Sequence, residues 1–189
     1  MSDTHPAPRL TLGHATLAAR DLDLMVAFYC DVLGFHVTNR GEPAPGMGDM
    51  VFLSQDPTAH HQVVLVHTPE PAPRGFVLAD HLAFRTGTLD DLRAIGRRLE
   101  AAAVAHVIPI SHGNAWSLYF NDPEGNGLEC FVDTPFHVAQ PYGGRLDLTA
   151  SDADVEATTR GAIESLPEFQ PFDDWRRAMA QRLDASDAG

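Results

Sequence analysis

The stretch "SHGNAWSLYFNDPEGNGLECF", residues 111–131, decides the fold. Its turn-forming centre, "NDPEGNG", lies between two apolar runs, and this pattern predicts a β-hairpin. Successive side chains of a strand point to opposite faces, so Tyr119 and Glu129 fall on the face away from the apolar residues. With the turn centred near Glu124, their Cβ atoms are expected about 5 Å apart. The hairpin therefore predicts a phenol beside a carboxylate on one face of a sheet.

The order of elements around this hairpin repeats. A helical pattern over residues 21–34 and another over residues 88–104 each follow a predicted strand, and three short extended runs come after each helix. His14 and His81 occupy the same place in the two units. We predict an α+β fold built from two βαβββ modules. The modules cover residues 9–70 and 76–135.

The two ends of the chain have a different character. Residues 1–8 are polar and contain proline, which predicts a flexible N-terminal tail. Residues 136–189 form a C-terminal extension with two predicted helices. The first begins at a capping box, Ser151 to Asp154, and the second runs from about residue 173 to residue 183. We expect these helices to dock on the modules or on another subunit.

The composition excludes several classes of partner. The chain has 13 Lys and Arg against 26 Asp and Glu, a formal net charge of −13, and this sign repels nucleic acids and anionic membranes. No apolar run reaches the roughly 18 residues of a membrane span, and the N-terminus lacks a signal-like apolar segment. Cys30 and Cys130 are expected as free thiols, as in a reducing compartment. We predict a cytoplasmic protein.

Three ionisable residues share the face away from the apolar side chains: His14, His81 and Glu129. A single histidine or glutamate on a strand is usually a surface residue. Two histidines at equivalent positions of a repeat, joined by one carboxylate, have the composition of the facial triad. That triad favours non-haem Fe(II) and leaves three positions of an octahedral metal open, although Mn(II) accepts similar ligands. The pattern therefore predicts a metal site.

Three motifs carry a resemblance to a known superfamily. They are "LGHATLAARDLDLMVAFYCDVLGF", "DHLAFRT" and "LYFNDPEGNGLECF". Across about residues 9–135 the chain resembles the vicinal oxygen chelate superfamily, which includes glyoxalase I, fosfomycin-resistance and bleomycin-resistance proteins, and type I extradiol dioxygenases. The extradiol dioxygenases are the most similar branch. The resemblance implies that the two paired modules form a cupped mixed sheet in which His14, His81 and Glu129 bind the metal.

The same resemblance implies three further catalytic residues. His61 matches the family's acid–base histidine, with Gln62 standing where the family often has an aspartate. His112 and Tyr119 match a histidine and a tyrosine that hydrogen-bond the substrate. We also expect His137 and Phe136, just after the last strand of the second module, to line the mouth of the cup and contact the substrate.

The reaction implied is extradiol cleavage of a catechol-type ring with O2. A small aromatic diol would bind the metal through its two vicinal oxygens, and the ring would open beside them to a muconic semialdehyde. Modules of this kind commonly pair across a symmetric dimer, so we expect a homo-oligomer.

Three alternatives within the superfamily stay open. Glyoxalase-type isomerases use a carboxylate from each module, but the matching strand of the first module, "VVLV", has none. Fosfomycin-resistance proteins use two histidines and a glutamate with Mn(II) to open an epoxide. A non-catalytic small-molecule-binding protein would not need the metal ligands at all.

Overall fold

The computed structural model describes residues 12–42, 49–57, 59–69 and 81–187. The predicted N-terminal tail lies outside these ranges. The element order βαβββ occurs twice, as the sequence predicts. The first set is β1 (Ala15–Ala19), α1 (Leu22–Ala27), a π-helical segment (Phe28–Val32), β2 (His36–Gly41), β3 (Met50–Ser54) and β4 (Val63–His67). The second set is β5 (His81–Arg85), α2 (Leu89–Ala101), β6 (Ile108–Ser111), β7 (Ala115–Asn121) and β8 (Gly127–Asp133).

Both sets form a sheet with the same strand order. The first sheet has the order β1-β4-β3-β2, and the second has the equivalent order β5-β8-β7-β6. The second sheet is extended beside β6 by β10 (Gly144–Arg145). In each sheet the first and last strands of the repeat run parallel, β1 beside β4 and β5 beside β8, while β3 pairs antiparallel with both β2 and β4. Two mixed sheets with their helices confirm the predicted α+β fold.

The first helical stretch begins and ends within the predicted range, residues 21–34, but changes its hydrogen-bonding pattern on the way. Asp21 caps it by accepting a hydrogen bond from the backbone N–H of Leu24 at 2.9 Å. After Ala27 the helix continues as a π-helical segment, in which the N–H of Leu33 donates to the carbonyl of Phe28. Gly34 then ends the element at φ +84°, a conformation that glycine adopts without strain.

The chain divides into two compact units, and the larger contains residues 13–108 and 118–131. Its core includes several large side chains with less than 2% exposure, such as Met25, Tyr29 and Phe120. The hydroxyl of Tyr29 lies 3.4 Å from Oδ2 of Asp122. Burial, followed by the charge of Asp122, raises the pKa of Tyr29 well above its ordinary value, so this phenol stays protonated and donates.

A carboxylate in the hairpin turn between β7 and β8 binds the start of α1. The side-chain oxygens of Glu124 accept hydrogen bonds from the backbone N–H groups of Arg20, at 2.8 and 2.9 Å, and of Asp21, at 2.7 Å. Its side chain is only 4% exposed. This contact therefore fixes the turn of the hairpin against the first repeat.

The smaller unit holds residues 109–117 together with the chain from residue 132 onward. It contains β9 (Phe136–His137), paired with β11 (Gln170–Pro171), and the helices α3 (Asp152–Ile163) and α4 (Phe172–Asp187). The predicted capping box is present, because Oγ of Ser151 accepts from the N–H of Asp154. In the ranges that the structure describes, no helix combines the length and apolar character that crossing a bilayer requires.

Candidate metal and substrate site

The centre of the candidate site is an imidazole facing a carboxylate. Parallel pairing of β5 with β8 sets Ala83 opposite Glu129 and His81 opposite Gly127. The two ionisable side chains meet diagonally across this register, with Nε2 of His81 3.0 Å from Oε2 of Glu129. Their side chains are 27% and 10% exposed, so a small ligand can reach the pair from the imidazole side. Glu129 and His81, which the sequence predicts on one face, are therefore in direct contact.

Tyr119 completes this group. Its ring meets that of His81 edge-on, with the centroids 5.5 Å apart. The N–H of Asp122 donates to the carbonyl of Asn126, which centres the turn on Glu124, the position assumed in the sequence argument. Phenol, imidazole and carboxylate therefore lie together as the alternation rule predicts. We call His81, Tyr119 and Glu129 the carboxylate group.

A second group gathers at the start of β1 and β4. Ala15 pairs with Val63, and its N–H donates to the carbonyl of Gln62, which brings the residues just before these strands together. The rings of His14 and His61 lie 4.5 Å apart, and Nδ1 of His60 lies 2.9 Å from Nδ1 of His61. We call His14, His60 and His61 the imidazole group.

The environment of His61 favours its neutral form. Loss of solvent around the ring, followed by the neighbouring His14 and His60, lowers the pKa of His61 below its ordinary value. The ring of Phe52 covers it from another side, with centroids 5.2 Å apart. A neutral imidazole is the form that accepts a proton.

The side chain of Gln62 bonds to the turn that follows β3. Its Oε1 accepts a hydrogen bond from the N–H of Gln55 at 2.9 Å and lies 3.5 Å from Oγ of Ser54. Gln62 therefore holds the turn after β3. His60, rather than residue 62, is the hydrogen-bonding neighbour of His61.

The carboxylate group supplies two of the three ligands that the sequence predicts for a metal. His81 and Glu129 fit as two ligands, since an imidazole nitrogen and a carboxylate oxygen already face each other. Among the residues that the structure describes, however, no three or more His, Cys, Asp or Glu side chains are gathered so as to hold a metal ion. His14 thus lies with His61 rather than as a third ligand, and the three-residue set stays a prediction.

His112 lies in the smaller unit, where a backbone carbonyl fixes its ring. Its Nδ1 is 2.8 Å from the carbonyl oxygen of Tyr142. Because a carbonyl oxygen only accepts, the imidazole donates from Nδ1. Its backbone is held as well, since the N–H of His112 donates to the carbonyl of Ala115 and Nε2 of Gln140 donates to the carbonyl of His112. The contact of His112 with the substrate stays a prediction.

Phe136 and His137 are packed inside the smaller unit. Phe136 belongs to an apolar cluster with Val138 and Ile163. The ring of His137 stacks on Trp175, with centroids 5.0 Å apart, and its Nε2 lies 3.4 Å from Oε2 of Glu168. This covering by α4 could not be predicted from the sequence, because the register of a docking helix has no local signal. Their role at the mouth of a cup stays a prediction.

Arg85 lies on the same face of β5 as His81, although the sequence pattern of metal ligands does not include it. Arg85 follows His81 by four residues on β5, so alternation puts both on one face. Its guanidinium lies over the ring of Phe131, 5.2 Å from the centroid. The rule that selected Glu129 would also have found this residue.

Comparison with known proteins settles the family. The pattern of the Glyoxalase/Bleomycin resistance protein/Dioxygenase superfamily matches residues 11–130. The chain belongs to this superfamily.

Relatives within the superfamily include ring-cleaving dioxygenases. Catechol-2,3-dioxygenase of Bacillus subtilis is 32% identical over 180 residues, which are 90% of this chain and 56% of that protein. Biphenyl-2,3-diol 1,2-dioxygenases 2 and 3 of Rhodococcus globerulus are 32% and 37% identical, covering 70% and 65% of this chain and 72% and 63% of the relatives. The chain thus spans between about half and three quarters of the length of these relatives.

Solved structures of the superfamily confirm the fold. A glyoxylase/bleomycin resistance protein/dioxygenase domain from Frankia sp. EAN1pec aligns with a TM-score of 0.57 and 23% identity, over 67% of this chain and 94% of that one. A fosfomycin resistance protein from Listeria monocytogenes, complexed with Mn(II) and sulfate, aligns with a TM-score of 0.51 and 20% identity, over 66% and 93%. At these identities the likeness concerns the fold alone.

Proposed function

We propose that this superfamily member is a metal-dependent extradiol dioxygenase that opens a catechol-type ring with O2. The observation that carries the proposal is the carboxylate group, in which Glu129 faces His81 and Tyr119 lies edge-on to the same imidazole. The similarity to three diol dioxygenases supports the reaction class. The proposed substrates are a small aromatic diol and O2, whose two atoms both enter the ring-opened product.

The proposed metal is Fe(II), with Mn(II) as the second choice. Its proposed ligands are His14, His81 and Glu129. Two imidazoles and one carboxylate suit either ion and leave three positions open. A bound metal would supply the positive charge that lowers the pKa of a catechol hydroxyl.

The other residues have proposed roles in moving and stabilising charge. His61, held neutral by its surroundings, takes a proton from the second hydroxyl of the diol and later returns it. Tyr119 donates a hydrogen bond to a substrate oxygen as negative charge develops there. We assign the same task to His112, whose Nε2 donates when the ring carries a second proton, since Nδ1 already donates to a backbone carbonyl. Phe136 and His137 remain proposed substrate contacts.

The repeat itself supports a dioxygenase over a glyoxalase-type isomerase. Thr16 pairs with Val64 in the first sheet as Ala83 pairs with Glu129 in the second. Val64, only 2% exposed, therefore occupies the position equivalent to Glu129. The first repeat has an apolar side chain where a four-ligand site would need its second carboxylate.

The test is oxygen uptake by protein loaded with Fe(II) under anaerobic conditions and then given a panel of catechols and air. We expect oxygen consumption with the appearance of a yellow ring-opened product, and we expect neither with Glu129→Ala. A parallel sample loaded with Mn(II) identifies the better metal. Failure of every catechol, hydroquinone and aminophenol to consume oxygen would contradict the proposal.

The separation of the two groups supports a homo-oligomer in which His14 of one copy joins His81 and Glu129 of another. Co-expression of differently tagged His14→Ala and Glu129→Ala chains tests this. A shared site returns one intact centre to each mixed dimer, so a random mixture regains about a quarter of the wild-type activity. A site built within one chain regains none, because each chain then lacks one ligand.

A cytoplasmic location also belongs to the proposal. Cys30 and Cys130 are both free thiols, which suits a reducing compartment. Burial, followed by the charge of Glu129, raises the pKa of the Cys130 thiol to about 12. That thiol therefore stays protonated, and alternation along β8 places it on the face opposite Glu129.

A further inference from the structure

Arg85 shares a face of β5 with His81 of the carboxylate group. On β5, alternation places His81, Ala83 and Arg85 on one face, and all three are exposed. Leu82 and Phe84, on the opposite face, are half-buried. The side chain of Arg85 therefore points to the side where the proposed substrate would approach His81.

The register of the sheet sets the distance between the guanidinium and the ligand pair. Ala83 is opposite Glu129, and Arg85 is opposite Phe131. Two residues along a strand span about 7 Å, so Arg85 lies one such step beyond Glu129. That spacing suits an aromatic ring whose hydroxyls lie at the carboxylate group and whose far side carries a short substituent.

Phe131 supports the guanidinium through a cation–π contact. The Cζ atom of Arg85 lies 5.2 Å from the centroid of the half-buried Phe131 ring. A cation–π contact uses the charge of the guanidinium and not its N–H donors. Five donors allow the same side chain to serve more than one acceptor.

Charge then decides what such a cation recognises. Arg85 is the only Lys or Arg in β5 and β8, within a chain of formal charge −13. An anionic substrate is repelled by that overall field and needs a local cation to be held. A planar guanidinium pairs with a carboxylate through two parallel hydrogen bonds, which fix orientation as well as charge.

We infer that Arg85, supported by Phe131, selects a catechol whose ring carries a carboxylate opposite its hydroxyls. The inference rests on the proposed function and specifies its substrate class. Arg85 is a specificity-determining residue that binds the substituent, at a distance from the two hydroxyls where the ring opens. Its loss therefore affects the charged substrate and leaves a neutral one unchanged.

The test compares 3,4-dihydroxybenzoate with its methyl ester, a neutral probe of nearly the same shape. Wild-type holoenzyme is expected to show a higher kcat/KM for the acid. Arg85→Met keeps an apolar stem against Phe131 and removes the charge. It is expected to lower kcat/KM for the acid about 10- to 100-fold, mostly through KM, while the ester stays within about twofold. Arg85→Lys is expected to regain part of the loss, since a point charge cannot pair bidentately.

Binding without turnover gives a second readout. Anaerobic titration of the holoenzyme with the acid is expected to show weaker binding for Arg85→Met and no change for Arg40→Met, a control on the exposed strand β2. Metal content and circular dichroism establish that each variant is folded and loaded.

The outcomes separate the two hypotheses. Ring cleavage with equal kcat/KM for acid and ester in the wild type, or equal losses for both probes in Arg85→Met, would overturn the inference and leave the dioxygenase intact. Cleavage of no catechol by the wild type would overturn the proposed function, and the substrate selection with it.

Discussion

The imidazole group and the carboxylate group occupy equivalent places in two repeats, yet they differ in chemistry. Each lies at a parallel pair formed by the first and last strands of a βαβββ set. The first gathers His14, His60 and His61 around Phe52 and contains no carboxylate. The second sets His81 against Glu129 at 3.0 Å.

One register position accounts for the difference. Val64 stands in the first repeat where Glu129 stands in the second. In the first group, loss of solvent, followed by the neighbouring imidazoles, lowers the pKa of His61. The second group carries the negative charge of a carboxylate. Under the proposed function, the first repeat supplies the proton acceptor His61 and the neutral ligand His14, and the second supplies the anionic ligand.

The largest effect is expected from removing the charge of the carboxylate group. Glu129→Gln keeps the shape of the side chain but replaces an anionic ligand with a neutral amide. We expect metal affinity to fall by more than about 100-fold, beyond the loss typical of residues that only support a ligand. The measurement is metal content after dialysis against graded chelator, with oxygen uptake alongside.

The matched change in the imidazole group is His14→Ala, which removes a proposed neutral ligand. We expect its loss of metal affinity to be smaller than that of Glu129→Gln, because the cation keeps its anionic partner. Equal metal content in Glu129→Gln and wild type would contradict the assignment of cation binding to this group.

A smaller effect, confined to turnover, is expected from the imidazole group. His61→Phe preserves a ring against Phe52 but removes the proton acceptor. We expect kcat to fall about 10²- to 10⁴-fold with metal content unchanged, the range typical of a lost general base. Steady-state kinetics and metal analysis on the same samples separate the two effects.

The control for His61→Phe is His60→Phe, which changes the neighbouring ring. His60 is exposed and packs against both Phe52 and His61, so we expect only a small change in kcat. Full activity in His61→Phe would remove this residue from the mechanism, and a large loss in His60→Phe would exchange their roles.

The parts of the site that sequence predicted are those governed by local rules. Alternation along β7 and β8 and a turn centred on Glu124 suffice to bring Tyr119 and Glu129 to one face. These rules act over a few residues and survive any arrangement of distant elements. His81 and Arg85 obey alternation along β5, but they reach Glu129 and Phe131 only through the parallel pairing of β5 with β8.

The parts that sequence did not predict depend on packing between distant segments. The covering of His137 by Trp175 requires the register of a helix more than thirty positions away in the chain. The continuation of α1 as a π-helical segment changes the hydrogen-bond step without altering the apolar spacing that the sequence shows. The association of His14 with His61 depends on strand pairing at the edge of a sheet.

The smallest effect concerns the contact by which the hairpin of the carboxylate group holds the first repeat. Glu124→Gln replaces a carboxylate that accepts from the N–H groups of Arg20 and Asp21 with a neutral amide that offers one acceptor oxygen. Hydrogen bonds to charged groups contribute about 1.5–3 kcal/mol each, so we expect the free energy of unfolding to fall by about 1–3 kcal/mol in denaturant titrations.

Asp23→Asn is the matched control for Glu124→Gln, because the side chain of Asp23 is 93% exposed and its contact with Arg40 is long at 3.6 Å. That control is expected within about 0.5 kcal/mol of wild type. If Glu124→Gln matched the control, the hairpin would be held against the first repeat by its other contacts, such as the hydrogen bond from Tyr29 to Asp122 and the packing of Phe28 on Phe120.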